Sequence, residues 1–96
     1  MNFTWDEKKK LQVEKDHRID FEKIAKVFED DFSLDYGDES HSTEDEERLV
    51  VVGKTAEYGL IYLVYTTPSE EEIRFITARR AEKWLVKKYE ENLRRF

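Results

Sequence analysis

Two histidines and two arginines are the side chains of this sequence best suited to proton transfer and to binding phosphate. His17 and His41 are the candidates for proton transfer, because the ordinary pKa of an imidazole lies near neutral pH. Arg48 and Arg79 are the candidates for phosphate, since a planar guanidinium can donate to two phosphate oxygens at once. If the four side chains converged in the folded chain, they could catalyse acid–base chemistry at a phosphate group.

Each of these four residues also has an ordinary structural explanation. His17 could cap the carboxyl end of a helix, and His41 could be an exposed loop histidine. Arg48 could form a salt bridge where a loop meets a strand, and Arg79 could be a surface arginine at a helix terminus. Convergence of the four side chains would distinguish a site from scattered surface charge.

Lys9, Arg80 and Trp5 are further candidates for holding a nucleotide. Lys9 could contact phosphate from the first helix or simply lie in solvent. Trp5 could stack on an unpaired base or pack against the sheet. Arg80 directly follows Arg79, so the alternation of side chains along a strand predicts that at most one of the two faces a given cleft.

The composition excludes several classes of site. The chain has no cysteine, which rules out disulfides, a thiol nucleophile and cysteine-based zinc or iron–sulfur sites. Its three glycines do not form a phosphate-binding loop, and its acidic segment lacks the ligand spacing of a calcium-binding EF-hand. We therefore expect neither a metal nor a cofactor. The longest apolar run is too short to span a membrane and the first residues do not resemble a signal peptide, so we expect a cytoplasmic protein without a membrane partner.

Charge is distributed unevenly along the chain. The net charge of −6, taken alone, argues against binding to nucleic acid. Residues 28–47, however, contain ten acidic residues and no lysine or arginine, so the remaining 76 residues carry a net charge of +4. The folded chain can therefore present a basic face beside an acidic segment, or a solvated surface of mixed charge.

Capping residues and hydrophobic periodicity together predict three helices. Two N-terminal helices are expected over residues 7–16 and 21–31, because Asp6 and Asp20 can cap them and apolar residues recur at helical spacing in the second. A C-terminal helix is expected from Ala81 onward.

Between these helices the sequence predicts strands and turns. Strands are expected at residues 32–36, 48–54, 60–67 and 72–79, and the second and third of these are rich in Val, Ile and Tyr. The strands are expected to form a small antiparallel meander. Residues 37–47 are predicted to form a polar loop. Together these elements predict an α+β fold in a single domain spanning residues 1–96.

Several short motifs occur in an order typical of one protein family. They are an opening Trp-Asp-x-x-Lys with a histidine eight residues after the lysine, a Val-Phe-x-Asp stretch, a segment that begins with His-Ser and ends with Glu-Glu-Arg, and a final Thr-Ala-Arg-Arg-Ala. The residues that carry them are Trp5, Asp6, Lys9, His17, Ile19, Phe21, Val27, Phe28, Asp30, His41, Ser42, Glu46, Glu47, Arg48, Gly53, Thr77, Ala78, Arg79, Arg80 and Ala81. On these motifs the chain resembles the BrnT family of type II toxins, small ribonucleases with a RelE-like fold.

The resemblance implies an endoribonuclease that cleaves RNA without a metal ion, by attack of the ribose 2′-hydroxyl on the adjacent phosphate. In that reaction Arg79 and Arg48 would stabilise charge on the phosphate, and His17 and His41 would transfer protons. The resemblance also implies a cognate BrnA-like antitoxin that inhibits the enzyme and binds DNA, so that the toxin contacts DNA only through its antitoxin.

Four residues depart from the family pattern. Val13 replaces an asparagine, Asp16 replaces a lysine, and Leu85 and Val86 replace a Glu-Arg pair. These changes leave a second hypothesis open, in which the chain is a BrnT-like interaction module without catalytic activity. A third is an unrelated acidic α+β binding protein.

Overall fold

The chain folds into a five-stranded sheet with one α-helix packed on each face. A computed structural model describes residues 1–38, 42–43 and 46–95. The elements in chain order are β1 (Asn2–Trp5), α1 (Glu7–His17), two 3₁₀ helices (Phe21–Lys23 and Ala25–Glu29), β2 (Leu34–Gly37), β3 (Leu49–Thr55), β4 (Gly59–Ser69), β5 (Glu72–Arg80) and α2 (Lys83–Arg94). Helices α1 and α2 thus lie where the Asp6 cap predicts a first helix and hydrophobic periodicity predicts a last one.

The sheet is mixed, so the prediction of an antiparallel meander was wrong. Its strand order is β1-β5-β4-β3-β2, and β1 runs parallel to β5 while the other neighbours are antiparallel. Strand β1 belongs to the sheet because Phe3 and Trp5 both pack on Phe75 of β5, with ring centroids 5.5 and 5.8 Å apart. Four residues are too short a segment to show a period of their own, and their partner strand lies about 70 residues away in the sequence.

The second predicted N-terminal helix was also wrong. Residues 21–31 contain two short 3₁₀ helices in place of a continuous α-helix. Phe21, Ile24 and Val27 are completely buried, and their spacing of three residues matches the three residues per turn of a 3₁₀ helix. The predicted cap is nevertheless present, because the Oδ1 atom of Asp20 accepts a hydrogen bond from the backbone N–H of Glu22 at 3.0 Å.

The two faces of the sheet carry separate hydrophobic clusters. We call the side covered by α1 and the 3₁₀ helices the α1 face, and the side covered by α2 the α2 face. The buried residues of the α1 face are Val13, Ile19, Phe21, Ile24, Val27, Val51, Ile61, Leu63, Ile73, Phe75 and Ala78. Those of the α2 face are Val50, Val52, Val64, Ile76 and Leu85. The α2-face cluster is the smaller, so part of that face is left to polar and aromatic side chains.

A glycine allows the second 3₁₀ helix to approach the sheet. A Cβ atom on Gly53 of β3 would lie 2.9 Å from the Cβ of Val27 and 3.1 Å from its carbonyl oxygen, which is too close for any larger residue without movement. The glycine of the sequence motif therefore has a packing role at this position.

Helix α2 is attached to the rest of the domain by its buried side and by polar contacts. Leu85 and Tyr89 are its buried residues. The hydroxyl of Tyr89 donates to Oδ2 of Asp30 at 2.7 Å, and the side-chain amide of Asn92 donates to the carbonyl of Phe32 at 2.9 Å. Neither α2 nor any other helix of the described residues is long and apolar enough to cross a membrane.

Candidate functional site

Arg79 lies on the α2 face near the end of β5, where it is held by an aromatic ring and a carboxylate. Its register partner on β4 is Tyr62, and the guanidinium carbon lies 4.5 Å from the centre of the Tyr62 ring. One guanidinium nitrogen lies 2.9 Å from Oε1 of Glu82 in the turn before α2. The side chain of Arg79 keeps 44% of its surface exposed, so the cation is oriented by its neighbours and still accessible to a ligand.

A second tyrosine extends this group toward β2. Tyr36 is hydrogen-bonded to Tyr62, and its pKa is raised to about 12 by burial and by the neighbouring Tyr62, which together outweigh the opposing effect of Arg79. The Tyr36 phenol is therefore protonated at neutral pH, with its one hydrogen engaged by the hydrogen bond to Tyr62. With 39% of its surface exposed, Tyr36 can present that phenol to a ligand beside the Arg79 cation.

Arg48 lies on the same face but not in the same group. Val50 and Val52 belong to the α2-face cluster, so the alternation along β3 places Arg48 on that face too. Its Nε atom lies 3.5 Å from Oε1 of Glu46, and its backbone N–H donates to the hydroxyl of Ser42 at 2.9 Å.

The separation of the two arginines follows from the register of the sheet. Val52 of β3 pairs with Tyr62, which pairs with Arg79, and Arg48 lies four residues before Val52. At about 3.3 Å per residue and about 4.8 Å between strands, the Cα atoms of Arg48 and Arg79 lie roughly 16 Å apart. The structure thus places both cations on one face but does not bring them together on one phosphate.

His17 and Arg80 lie on the other side of the sheet. Arg80 donates a hydrogen bond to the carbonyl oxygen of His17 at 2.6 Å, and its guanidinium lies 5.5 Å from the ring centre of Tyr58. Arg80 therefore joins the end of α1 to the sheet, while its neighbour Arg79 faces α2. The two adjacent arginines point to opposite faces, as strand alternation requires.

Two more of the candidate residues also belong to the α1 side. Trp5 is half-buried between Phe21 and Phe75, with ring centroids 6.0 and 5.8 Å away, which is a packing position. Lys9 is exposed on α1. The remaining candidate, His41, lies outside the described residues.

The side chains that surround Arg79 could not be identified from the sequence. The register between β4 and β5 shifts at Val64/Tyr65 and again between Thr66 and Ser69, and the two shifts cancel, so Tyr62 and Arg79 keep the register of the Ser69–Glu72 pair. The sequence does not show which two residues pair beside the turn, so this register was not available before the structure. The one available signal was Glu82, which lies three residues after Arg79 and could be expected near it at the start of a helix.

The group formed by Arg79, Tyr62, Tyr36 and Glu82 has the chemistry of an anion-binding site. The guanidinium can donate to two oxygens of a phosphate, and the Tyr36 phenol can donate a further hydrogen bond in exchange for its bond to Tyr62. The Arg79–Glu82 ion pair is about half exposed, so it is worth about 0 to 1 kcal/mol and can be exchanged for a phosphate. Within the described part of the chain, no group of three or more His, Asp or Glu side chains is arranged to hold a metal ion.

Comparisons with known proteins identify the family. A family model described as "Ribonuclease toxin, BrnT, of type II toxin-antitoxin system" matches residues 5–84. The fold is similar to the 1.1 Å crystal structure of the Brucella abortus ribonuclease toxin, BrnT, with a TM-score of 0.68 and 21% identity over 86% of this chain and 99% of that chain. No curated protein matches the chain in a sequence search. Because the family model covers most of its length, the chain belongs to the BrnT family of ribonuclease toxins of type II toxin–antitoxin systems.

Proposed function

We propose that this protein is an endoribonuclease that cleaves RNA without a metal ion, by attack of a ribose 2′-hydroxyl on the adjacent phosphate. The observation that supports the proposal most directly is the exposed Arg79 cation, oriented over Tyr62 and placed beside the neutral phenol of Tyr36. Such preorganised donors stabilise the negative charge that grows on phosphate oxygens during attack.

The residues of this site have distinct roles in the proposal. Arg79 holds the scissile phosphate, and the stack on Tyr62 keeps the guanidinium in place. Arg48, farther along the same face, contacts a neighbouring phosphate of the same RNA strand. His41 is the proposed proton-transfer group, because an imidazole can exchange a proton near neutral pH. His17, Lys9, Arg80 and Trp5 have no part in this proposal, because they belong to the α1 side.

The family also implies a partner. A type II toxin has a cognate antitoxin, and we propose that this one is a BrnA-like protein that binds DNA and covers the α2 face around Arg79. Charge complementarity would give fast association and would occlude the RNA site at the same time. We further propose that the pair acts in the cytoplasm.

The second hypothesis, an inactive interaction module, is weakened by two of the departures that motivated it. Val13 is 3% exposed and Leu85 is 1% exposed, and each is a member of a hydrophobic cluster. Residues at these two positions serve packing in this chain, so their apolar character does not remove a group from the Arg79 site. The Arg79–Glu82 ion pair is the observation that still favours the interaction module, because the Glu82 carboxylate already pairs with the Arg79 cation.

The test compares Arg79→Ala with Arg80→Ala, two adjacent arginines on opposite faces. Purified proteins are incubated with a mixed single-stranded RNA transcript in the presence of a metal chelator, and the rate of RNA cleavage is measured. We expect a loss of about 100-fold for Arg79→Ala, the size typical for removal of one preorganised donor, and a change of less than about 3-fold for Arg80→Ala. Equal rates for Arg79→Ala and the parent protein would exclude Arg79 from the mechanism, and the reverse pattern would place the site on the α1 face.

The chemistry of the product ends tests the mechanism separately. Attack by the 2′-hydroxyl leaves a cyclic phosphate on one fragment and a 5′-hydroxyl on the other. A 5′-phosphate on the fragments would contradict the proposed nucleophile, and no cleavage by any form of the protein would favour the interaction module.

A further inference from the structure

We infer that the exposed indole of Trp84 is a stacking platform for an unpaired nucleobase of the RNA, next to the phosphate that Arg79 holds. The inference rests on the proposed function, because it adds a second contact to the same bound strand. Trp84 is 56% exposed, although tryptophan is among the side chains that gain most from burial.

Trp84 does not contribute to the packing of α2. The buried side of the helix is formed by Leu85 and Tyr89, which are 1% and 5% exposed, and by no other described residue of the helix. Trp84 precedes Leu85 and faces away from that side. The packing of α2 therefore leaves this large aromatic ring accessible, beside the Glu82 carboxylate that also contacts Arg79.

The indole is nevertheless held in one orientation, and the group that holds it is the one that binds Arg79. The Nε1 atom of Trp84 donates to Oε2 of Glu82 at 3.2 Å, while Oε1 of the same carboxylate lies 2.9 Å from Arg79. A single carboxylate thus joins the ring to the guanidinium. That spacing is one that a nucleotide can span, with its phosphate on Arg79 and its base on the ring.

The surroundings of the ring favour a nucleic acid over a protein ligand. Lys87 and Lys88 lie three and four residues after Trp84, so they share its side of the helix, and both are exposed. Aromatic rings interleaved with cations are typical of surfaces that bind single strands, because each base can stack while its phosphate is neutralised. A base in a duplex has no free face, so the surface should select single-stranded RNA.

Tryptophan fluorescence can test this contact directly, since the chain contains only two tryptophans and Trp5 lies half-buried in the α1 face. The probe is a single-stranded 2′-O-methyl RNA, which lacks the attacking hydroxyl and stays intact. The comparators are the same strand with abasic positions and the same sequence as a duplex. We expect the intact single strand to quench the tryptophan fluorescence of the parent protein, and the abasic strand and the duplex not to do so. The fluorescence of Trp84→Phe should show no such quenching.

Binding of the fluorescently labelled strand, followed by anisotropy, provides the second measurement. We expect Trp84→Ala to weaken binding about 10-fold and Trp84→Phe, which keeps an aromatic ring, to recover most of that loss. Thermal unfolding of both variants checks that they remain folded, as expected for a residue outside the core.

The possible results separate the two proposals. Binding that depends on Arg79 but is equally tight in Trp84→Ala, or quenching that is the same with the abasic strand, would overturn the role of Trp84 and leave the proposed function intact. Failure of the parent protein to bind any strand would overturn both.

Discussion

Thr55 and Thr66 are equally buried threonines of the sheet, each 3% exposed, but they differ in their hydrogen bonds. The hydroxyl of Thr55 donates to the carbonyl of Gly59 at 2.8 Å and accepts from the backbone N–H of Tyr58 at 2.9 Å. The hydroxyl of Thr66 has no partner among the described residues. A buried hydroxyl costs free energy unless it is hydrogen-bonded, so the same substitution should have opposite effects at the two positions.

We predict that Thr66→Val raises the free energy of unfolding by about 1 kcal/mol, whereas Thr55→Val lowers it by about 1 to 3 kcal/mol. Valine keeps the shape of threonine and its preference for strands, which makes the two variants a matched pair. Urea unfolding at neutral pH measures both values. A loss of stability in Thr66→Val would indicate that its hydroxyl is satisfied in solution.

At the level of elements, the position of α2 depends on a carboxylate that joins three segments. Asp30 follows the second 3₁₀ helix and accepts hydrogen bonds from the backbone N–H of Phe32, from that of Lys54 in β3 and from the hydroxyl of Tyr89 in α2. Burial alone would raise the pKa of Asp30, but these hydrogen bonds together lower it below its ordinary value. For Tyr89, burial and then the contact with Asp30 raise the pKa to about 12.

The sign of the pH dependence follows from these shifts. The lowered pKa of Asp30 means that its contribution is present above the ordinary carboxyl pKa and is lost as the pH falls through the folded value. The raised pKa of Tyr89 means that its contribution is complete below pH 10 and is lost as the pH rises toward 12. Both groups should therefore stabilise α2 throughout the neutral range.

We predict that Tyr89→Phe lowers the free energy of unfolding by about 1 to 3 kcal/mol at pH 8, because the Asp30 carboxylate loses a hydrogen bond to a buried donor. The difference between the parent and the variant should shrink between pH 10 and pH 12. Denaturant unfolding of both proteins over pH 7 to 12 measures this difference in the free energy of unfolding. Because both proteins contain the other tyrosines, the contribution of those tyrosines cancels in the difference. A difference that stays constant to pH 12 would contradict the raised pKa of Tyr89.

At the level of the whole molecule, the charge pattern sets the conditions for RNA binding. The net charge is −6 and residues 28–47 contribute −10, so a polyanion is repelled by the chain as a whole and attracted only locally. The local attraction comes from exposed cations of the α2 face and helix α2. Salt screens such contacts and reduces the gain from releasing counterions.

We predict that kcat/KM for RNA cleavage falls roughly 20-fold between 50 and 200 mM NaCl, the size expected for about three phosphate contacts on a single strand. Initial rates on one single-stranded substrate measure this dependence, and a melting curve at each salt concentration shows whether the protein stays folded. A rate that is independent of salt would mean that the phosphates are not held by exposed cations.

Short stretches of sequence were sufficient to predict the helices and strands whose caps or apolar patterns lie within them. The Asp6 cap of α1, the apolar repeat of α2 and the β-branched runs of β3 to β5 all lie within short windows of the sequence. The 3₁₀ helices were mistaken for an α-helix because Phe21, Ile24, Ala25 and Phe28 recur at the spacing of one α-helical face, and only the packing against the sheet distinguishes the two. Strand β1 was missed because its partner is far away in sequence.

For the site, the sequence by itself determined the family motifs, the choice of arginines and the fact that Arg79 and Arg80 face opposite ways, because alternation along a strand is a local property. Only the tertiary structure decided which face carries the cation, that Tyr62 and Tyr36 accompany it, and that Arg48 lies some distance away along the sheet. Those facts depend on strand order and on the pairing register of the strands, which arise from packing between segments distant in the sequence.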